Sequence, residues 1–406
     1  MNRQNISLNN NSPFVIIRWK VIVVLICTIP FFTWVSPYEP FLFYILITII
    51  AVPLVKKISL LWLAKLFIVA FLIIAHMNDH SVVLNLIAIF LADVCAYFMG
   101  NMYSKFKFEE ILNLIWKMST ISIFFGFLFS ILGSYFFGMI NPVISILTGE
   151  RLLLLTMPGA GHSILIELSS IALIVALSGL YTGVALWWRV LLLSSLLFLS
   201  GSITATLCLF FILLVNVLEN NFSSVRLKNF TILVTVSIFI IFLLNQDIFN
   251  KSIGYIRKEI LHQDLTVYNE DYSTGRSELN QLLIGVSNKH PLIGAGEDDP
   301  ILKYGITYGA IQDKGATNES AFRLSAKYGW LIMFISFFIS IIPFIVAFCI
   351  KEYRKFFLMI GGVVFILNFS NGYFVGPQSA YYYLFLPLIW MGWLLLNKNR
   401  KLKLKV

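Results

Sequence analysis

"GWLIMFISFFISIIPFIVAFCI" covers residues 329–350 and contains no charged residue. At the rise of an α-helix, 22 residues cover about 33 Å, which is enough to cross the hydrocarbon core of a bilayer. Similar apolar runs recur along most of the chain. Because hydrocarbon offers no partners to backbone N–H and C=O groups, each run is expected to be a helix. The twelve predicted spans are 14–35, 40–55, 58–75, 82–99, 111–139, 163–180, 184–200, 203–218, 229–245, 329–350, 356–376 and 381–396.

The composition gives the same fold class. Of the 406 residues, 59% are hydrophobic and 12% are charged, and the mean hydropathy is +0.85. Soluble domains carry about twice that charged fraction. We therefore expect an all-α polytopic membrane protein of about twelve transmembrane helices with one long loop outside the membrane that contains short helices; the family resemblance described below makes this loop periplasmic. The predicted segments are 1–139 (N-terminal spans), 140–245 (spans with an outer segment), 246–328 (the long loop) and 329–406 (C-terminal spans and basic tail).

The positions of Lys and Arg predict the orientation, because these residues gather in cytoplasmic connections. The short connections 36–39, 76–81 and 377–380 contain none and are expected outside. Both termini are expected in the cytoplasm, and the start of the chain lacks a cleavage site, so the first span is expected to stay uncleaved. The basic residues of the other side are Arg3, Arg18, Lys56, Lys57, Lys105, Lys107, Arg226, Lys228, Lys351, Arg354, Lys355, Lys398, Arg400, Lys401, Lys403 and Lys405.

The formal net charge of +10 follows from this topology. The long loop 246–328 holds nine Lys or Arg and eleven Asp or Glu, so the excess of base belongs to the cytoplasmic edges. A nucleic-acid partner is not implied. Charged residues within the predicted spans include Lys65, Lys117, Asp93 and Glu167. Lys65 and Lys117 are expected to extend toward the cytoplasmic surface, which leaves Asp93 and Glu167 as the exceptions.

No metal or cofactor is expected. Cys27, Cys95, Cys208 and Cys349 all lie within predicted spans and read as small apolar side chains. The five histidines have no metal-ligand spacing, and the chain has no phosphate loop, dinucleotide fingerprint or nucleophile elbow. The histidines, all predicted to be on the outer side, are His76, His80, His162, His262 and His290.

The stretch "TGRSELNQLLIGVSNKHPLIGAG", residues 274–296, predicts one amphipathic helix in the long loop. Ser273 or Thr274 can cap its start, and Pro291 ends it before glycines that allow a turn. Its apolar positions recur at spacings of three and four residues: Leu279, Leu282, Leu283 and Val286.

Arg276 lies in the first turn of this helix, where the helix dipole favours acids. Two interpretations stay open. Arg276 either pairs with a nearby acid (Glu270, Asp271 or Glu278) and tethers the loop, or it binds a phosphate together with the free N–H groups of the helix start.

Two further segments carry candidate anion-binding residues. Arg151, in "GERLLLLTMPGAGH" (149–162), is expected to dip toward the bilayer, where it needs either an internal acid such as Glu150 or Glu167, or a lipid-linked phosphate. In "ATNESAFRLSAKYGW" (316–330), Glu319, Arg323 and Lys327 share one helical face. Either Glu319 and Arg323 form an ordinary ion pair, or Glu319 is a candidate base and Arg323 is a second residue that binds the anion.

The order of these pieces resembles the O-antigen polymerase and O-antigen ligase superfamily of bacterial envelopes. The resemblance covers about residues 145–350 and rests on three features. They are Gly149–Arg151 with PGAGH leading into a span, the polar break LSGSITATL (199–207), and the long loop with TGR, HPLIGAG and TNESAFRLSAKYGW.

The resemblance implies a glycosyltransferase in the bacterial inner membrane that uses undecaprenyl-pyrophosphate-linked oligosaccharides at the periplasmic face, without metal or cofactor. It implies that Arg151 and Arg276 contact the pyrophosphate, with Arg323 as a further clamp. A chain-length regulator is a possible further partner. The lipid tail of the substrate would lie between spans.

Two departures from the family pattern bear on the reaction. Ligases carry a His-Asn pair where this chain has Thr317–Asn318, which favours the polymerase. Asn280 stands where many relatives have tryptophan. The catalytic base stays open among Glu319, Glu278 and His290. The alternatives are a ligase that transfers the glycan to lipid A–core and, in another class, a polysaccharide flippase or other transporter, although no internal repeat supports it.

Overall fold

The structure is a computed structural model. It describes residue 21 and residues 39–52, 58–137, 161–180, 187–200, 203–221, 276–296, 307–308, 311–312, 321–371 and 381–403. The predicted spans 14–35 and 229–245 and most of the long loop lie outside these residues.

Helices make up nearly all of the described chain, as the apolar runs predict. The twelve α-helices of the described ranges are α1 (Glu39–Ala51), α2 (Leu60–Ala75), α3 (His80–Tyr103), α4 (Phe108–Phe137), α5 (Gly161–Leu177), α6 (Trp187–Leu199), α7 (Ile203–Asn221), α8 (Arg276–Lys289), α9 (Ala321–Tyr328), α10 (Trp330–Cys349), α11 (Arg354–Asn371) and α12 (Leu386–Lys403). A 3₁₀ turn (Lys351–Tyr353) precedes α11, and a π turn (Tyr381–Phe385) precedes α12. Two short strands, β1 (Thr307–Tyr308) and β2 (Ile311–Gln312), pair antiparallel with Thr307 opposite Gln312.

Three helices in the described part of the chain are long and apolar enough to cross a membrane: His80–Tyr103, Phe108–Leu128 and Trp330–Cys349. Shorter apolar helices of 10–17 residues accompany them. The fold is therefore helical and compatible with a membrane protein. The number of twelve spans, their orientation and the position of the long loop outside the membrane stay predictions.

The side chains of α2 show how these helices are oriented. Its exposed face is apolar, with Leu60 84% exposed, Phe67 77% and Ile74 68%, at seven-residue spacing. Its buried face contains Trp62, Val69, Leu72 and the charged Lys65. A helix surrounded by water has the opposite arrangement. The apolar outer face indicates a lipid environment.

The centre of the bundle is the contact between α3 and α12. A Cβ at Gly100 would lie 2.7 Å from Cβ of Trp390 and 2.8 Å from the carbonyl oxygen of Pro387, so only glycine allows this approach. Around the pair, α1 and α2 pack on α3, α10 packs on α11 and α12, α11 packs on α7, and α4 packs on α5.

A buried ion pair joins α2 to α3. Lys65 Nζ lies 2.5 Å from Asp93 Oδ1, and the two side chains are 1% and 0% exposed. Lys65 therefore does not extend to the surface as the sequence predicted, because a carboxylate at the same depth of the α2–α3 hairpin gives the ammonium group a closer partner. Pairing explains how the bundle accommodates both charges.

The second buried acid, Glu167 of α5, is also satisfied inside the bundle. Its Oε2 accepts a hydrogen bond of 3.0 Å from the backbone N–H of Tyr381. An N–H at the start of a helical segment has no partner within that segment, so a carboxylate is a favourable acceptor there. Glu167 thereby connects α5 to the π turn before α12.

We expect the variant Lys65→Met to lower the thermal midpoint of the detergent-purified protein, because it leaves Asp93 buried without its counter-charge, at a cost on the order of 3–5 kcal/mol. The double variant Lys65→Met/Asp93→Leu should recover most of this loss, since it removes both charges. Thermal unfolding followed by tryptophan fluorescence measures both. A double variant no more stable than the single one would contradict the pairing.

Candidate functional site

Helices α8 and α9 pack against each other and form, with the turn at residues 290–296, what we call the loop unit. Ser287 Oγ lies 2.8 Å from Ser325 Oγ, and both side chains are buried. An apolar cluster surrounds this contact and consists of Leu283, Val286 and Ala326, with Ala295 and Phe322 packed against it. The loop unit thus has a small core of its own.

Helix α8 agrees with the amphipathic helix predicted for residues 274–296. It begins at Arg276 and ends at Lys289, before Pro291. Leu283 and Val286 are buried, whereas Leu282 is 43% exposed, so the buried face is narrower than the pattern indicated. The predicted caps Ser273 and Thr274 lie outside the described residues.

The HPLIGAG turn (residues 290–296) packs against the C-terminal end of α9 through backbone hydrogen bonds. The N–H of Ala295 donates to the carbonyl of Ala326 at 2.8 Å, and the N–H of Gly296 donates to the carbonyl of Lys327 at 3.1 Å. From the other side, the N–H of Trp330 donates to the carbonyl of Pro291 at 2.8 Å. These three bonds join residues more than thirty positions apart in the chain.

Two glycines make this approach possible. Gly294 has φ +74° and lies so close to Lys327 that a Cβ would overlap its carbonyl group. Gly329 has φ +90°, and a Cβ at this position would overlap the carbonyl group of Leu292. A side chain at either position meets both a strained backbone and a neighbouring peptide group. The glycines of this motif therefore have a structural role.

The turn also contacts the hairpin between α2 and α3. Nε2 of His76, the residue that follows α2, lies 2.6 Å from the carbonyl oxygen of Ile293. Asp79 caps α3, because its Oδ1 accepts from the N–H of Val82 at 3.1 Å and from Ser81 Oγ at 2.9 Å. Gly296 lies directly against His76 and Asp79. The loop unit is therefore attached both to α10, through Gly329, and to this hairpin.

The predicted site residues fall into separate groups along α8. Arg276 and Glu278 occupy its first turn, and His290 follows its last residue and is exposed. Fourteen residues at 1.5 Å each separate the backbones of Arg276 and His290 by about 20 Å. The structure does not bring these two residues together at a single reacting bond.

Arg323 lies nearer to the His290 end. It is half-buried on α9, two residues before Ser325, which contacts Ser287. Ser287 is three residues from His290 and eleven from Arg276. Lys327 is almost fully buried on the same helix, with Nζ 5.5 Å from the centre of the Tyr328 ring. Two cationic side chains thus belong to this end of the loop unit.

Two of the six predicted site residues, Arg151 and Glu319, lie outside the described residues, as do Thr317 and Asn318. In the described part of the chain no group of three or more His, Cys, Asp or Glu side chains is placed to hold a metal ion. Cys95 and Cys208 are buried, and Cys349 is exposed.

Comparison with protein-family models and with curated proteins found no match to this chain.

Sequence reasoning missed the contact of His76 with the turn. It separates residues 76 and 293 by 217 positions, and its acceptor is a backbone carbonyl, which has no residue-type signature. The burial of Lys65 had a signal, although its partner did not: Lys65 shares one helical face with Trp62, Val69 and Leu72, and the structure buries that face.

We expect the variant Gly294→Ala to loosen the turn, because the new Cβ meets the carbonyl of Lys327 at a φ that alanine disfavours, with a cost above about 1 kcal/mol. Hydrogen exchange of the Ala295 and Gly296 amides should become faster. Gly285→Ala is the matched control: Gly285 lies in α8 with open space around it, and the change should stabilise the helix slightly. Equal exchange in the two variants would contradict the docking.

Proposed function

We propose that the chain is an O-antigen polymerase that transfers a growing undecaprenyl-pyrophosphate-linked glycan onto a new lipid-linked repeat unit at the periplasmic face of the bacterial inner membrane. The observation that carries the proposal is the loop unit. Arg276 of the TGR segment begins α8, and HPLIGAG and AFRLSAKYGW, on which the resemblance also rests, belong with that helix to one packed unit that continues directly into α10, a helix long enough to cross a membrane.

The reaction needs little beyond positioning and charge stabilisation. A sugar hydroxyl of the acceptor unit attacks the anomeric carbon of the donor glycan. The bond between that carbon and the pyrophosphate oxygen breaks, undecaprenyl pyrophosphate leaves with the bonding electrons, and a base takes the hydroxyl proton. Arginine stabilises the leaving diphosphate without a metal, because its planar guanidinium donates two parallel hydrogen bonds to phosphate oxygens.

The length of α8 limits which of the candidate residues can act as base at a pyrophosphate bound by Arg276. In the proposal Arg276, with Arg151, binds the pyrophosphate at the start of α8, where free N–H groups also favour an anion. The base must lie within hydrogen-bond reach of the attacking hydroxyl. His290 is about 20 Å along the helix from Arg276, so Glu278, in the same turn as Arg276, fits the role of base better than His290. Glu319, outside the described residues, stays the other candidate. Arg323 then serves a second part of the substrate.

The membrane location supports the same substrate class. A polyprenyl tail needs an apolar surface beside the site, and α10 follows the loop unit without an intervening segment. The exposed face of α10 carries Leu331, Phe334, Phe338, Ile341 and Phe348. Such a face suits both bilayer lipid and the tail of a lipid-linked donor.

Two other functions remain as alternatives. A ligase would use the same donor and transfer the glycan to lipid A–core; Thr317 is the residue that argues against it. A transporter is favoured by the charges inside the bundle, since Lys65, Asp93 and Glu167 are all buried and intramembrane charges commonly mark transport paths. In the described part of the chain Asp93 Oδ2 has no hydrogen-bond partner, which leaves one polar atom for a ligand.

Removing the arginines tests the pyrophosphate site. Arg151→Ala and Arg276→Ala should each reduce long-chain product at least about 100-fold, because transition-state charge loses a donor, while membrane abundance stays normal. Arg276→Lys should also fail, since lysine offers only a point charge. Lys289→Ala, at the exposed far end of the same helix, is the control and should give normal chains. Wild-type chain length in either Arg variant removes that residue from the site.

A deletion strain separates the three functions. Loss of a polymerase should leave lipopolysaccharide that carries a single O-unit on its core, because the ligase still transfers one unit. Loss of a ligase or of a flippase should leave bare core instead. Gel electrophoresis of the lipopolysaccharide distinguishes these products, and bare core would contradict the polymerase.

A further inference from the structure

We propose that His76 is a positioning residue that holds the loop unit on the outer end of the α2–α3 hairpin and so aligns the helix that begins at Arg276. The consequence for activity rests on the proposed function, whereas the attachment itself does not. His76 is absent from every motif that supports the resemblance.

The contact is short and enclosed. His76 is 8% exposed, and Nε2 lies 2.6 Å from the carbonyl oxygen of Ile293. A carbonyl oxygen only accepts hydrogen bonds, so the imidazole must donate through Nε2–H. The direction of the bond therefore determines which ring nitrogen carries the proton in the neutral form.

The surroundings leave the imidazole as the group that contacts Ile293. Asp79, the neighbouring acid, already accepts hydrogen bonds from Val82 and Ser81 at the start of α3. A Cβ added at Gly296 would lie 3.1 Å from Oδ2 of Asp79 and 3.4 Å from Nδ1 of His76, so the absence of a side chain at this position lets the turn approach the hairpin. The α2–α3 hairpin therefore holds the turn through the Nε2–H of His76.

Packed contacts connect the His76–Ile293 bond to α8, the helix that begins at Arg276. Ile293 lies in the turn that is bonded to Ala326 and Lys327 of α9, and α9 packs on α8 through Ser325 and Ser287. Without His76, the loop unit keeps its internal core and its covalent link to α10 but loses its bond to the hairpin. A small displacement of the unit moves Arg276 relative to residues carried by the spans, and misplacement by about 1 Å can cost on the order of 100-fold in rate.

The test compares three single variants of the full-length protein in lipid nanodiscs. His76→Leu removes the donor at similar size, and His76→Gln keeps an amide N–H at a comparable reach. His80→Leu is the matched control, because His80 is an exposed histidine of the same hairpin. Hydrogen exchange of residues 290–296 reports attachment, and polymerisation of a lipid-linked oligosaccharide reports kcat and KM separately.

We expect His76→Leu to speed exchange of residues 290–296 about tenfold or more and to lower kcat about 10- to 100-fold, with KM for the donor changed less than about threefold. His76→Gln should restore most of both, and His80→Leu should match the wild type. General unfolding would also lower the apparent kcat at unchanged KM, because it removes active protein. It would, however, speed hydrogen exchange in the spans such as α3 and α10 as well, whereas loss of the attachment should speed exchange in the loop unit alone.

Each other outcome decides a separate point. Unchanged exchange in His76→Leu would overturn the attachment. Faster exchange with wild-type kcat would overturn the positioning role. Faster exchange in a protein whose wild type does not polymerise the oligosaccharide would support the attachment and contradict the proposed function instead.

Discussion

Backbone hydrogen bonds between the 291–296 turn and the end of α9 are the interaction on which the candidate site depends. They work only because two peptide segments approach without side chains between them, at Gly294 and Gly329. A contact of this kind transmits position well, since it has few rotatable bonds. Everything that the loop unit presents, from Arg276 at one end of α8 to His290 at the other, takes its place from this junction.

The helix bundle follows a different constraint, because a charge buried among apolar side chains must find a partner. Lys65 pairs with Asp93, and Glu167 accepts the N–H of Tyr381. The Lys65–Asp93 pair joins the two helices of a hairpin, and the Glu167–Tyr381 bond joins segments that are 214 residues apart. Each contact therefore also specifies which helices are neighbours. The same buried charges support the transporter alternative, because charged side chains inside a helix bundle occur both in structural ion pairs and along transport paths.

The sequence predicted local structure well and tertiary placement poorly. The apolar runs located helices such as α3 and α10, and the pattern of Leu283 and Val286 with Pro291 located α8 and its end. These signals lie within about fifteen residues of one another. The partner of Lys65 was missed because a lysine near a helix end usually extends to the surface, and nothing local reveals an acid at the same depth. The bond of His76 to Ile293 was beyond pattern reasoning, because any residue supplies a carbonyl.

The choice of catalytic base shows what the structure adds to such reasoning. From the sequence, Glu278, Glu319 and His290 were equivalent, since all three belong to one loop near arginines. A helix of fourteen residues removes that equivalence for two of them, because Glu278 lies in the same turn as Arg276, whereas His290 lies about 20 Å along the axis from it. If the diphosphate lies at Arg276, the candidate base in the same turn is the carboxylate of Glu278, and the negative charge of the bound phosphates increases the affinity of that carboxylate for a proton. Arginine then has two roles: it stabilises the leaving diphosphate, and it offsets the repulsion between the phosphates and the ionised carboxylate before the proton is taken.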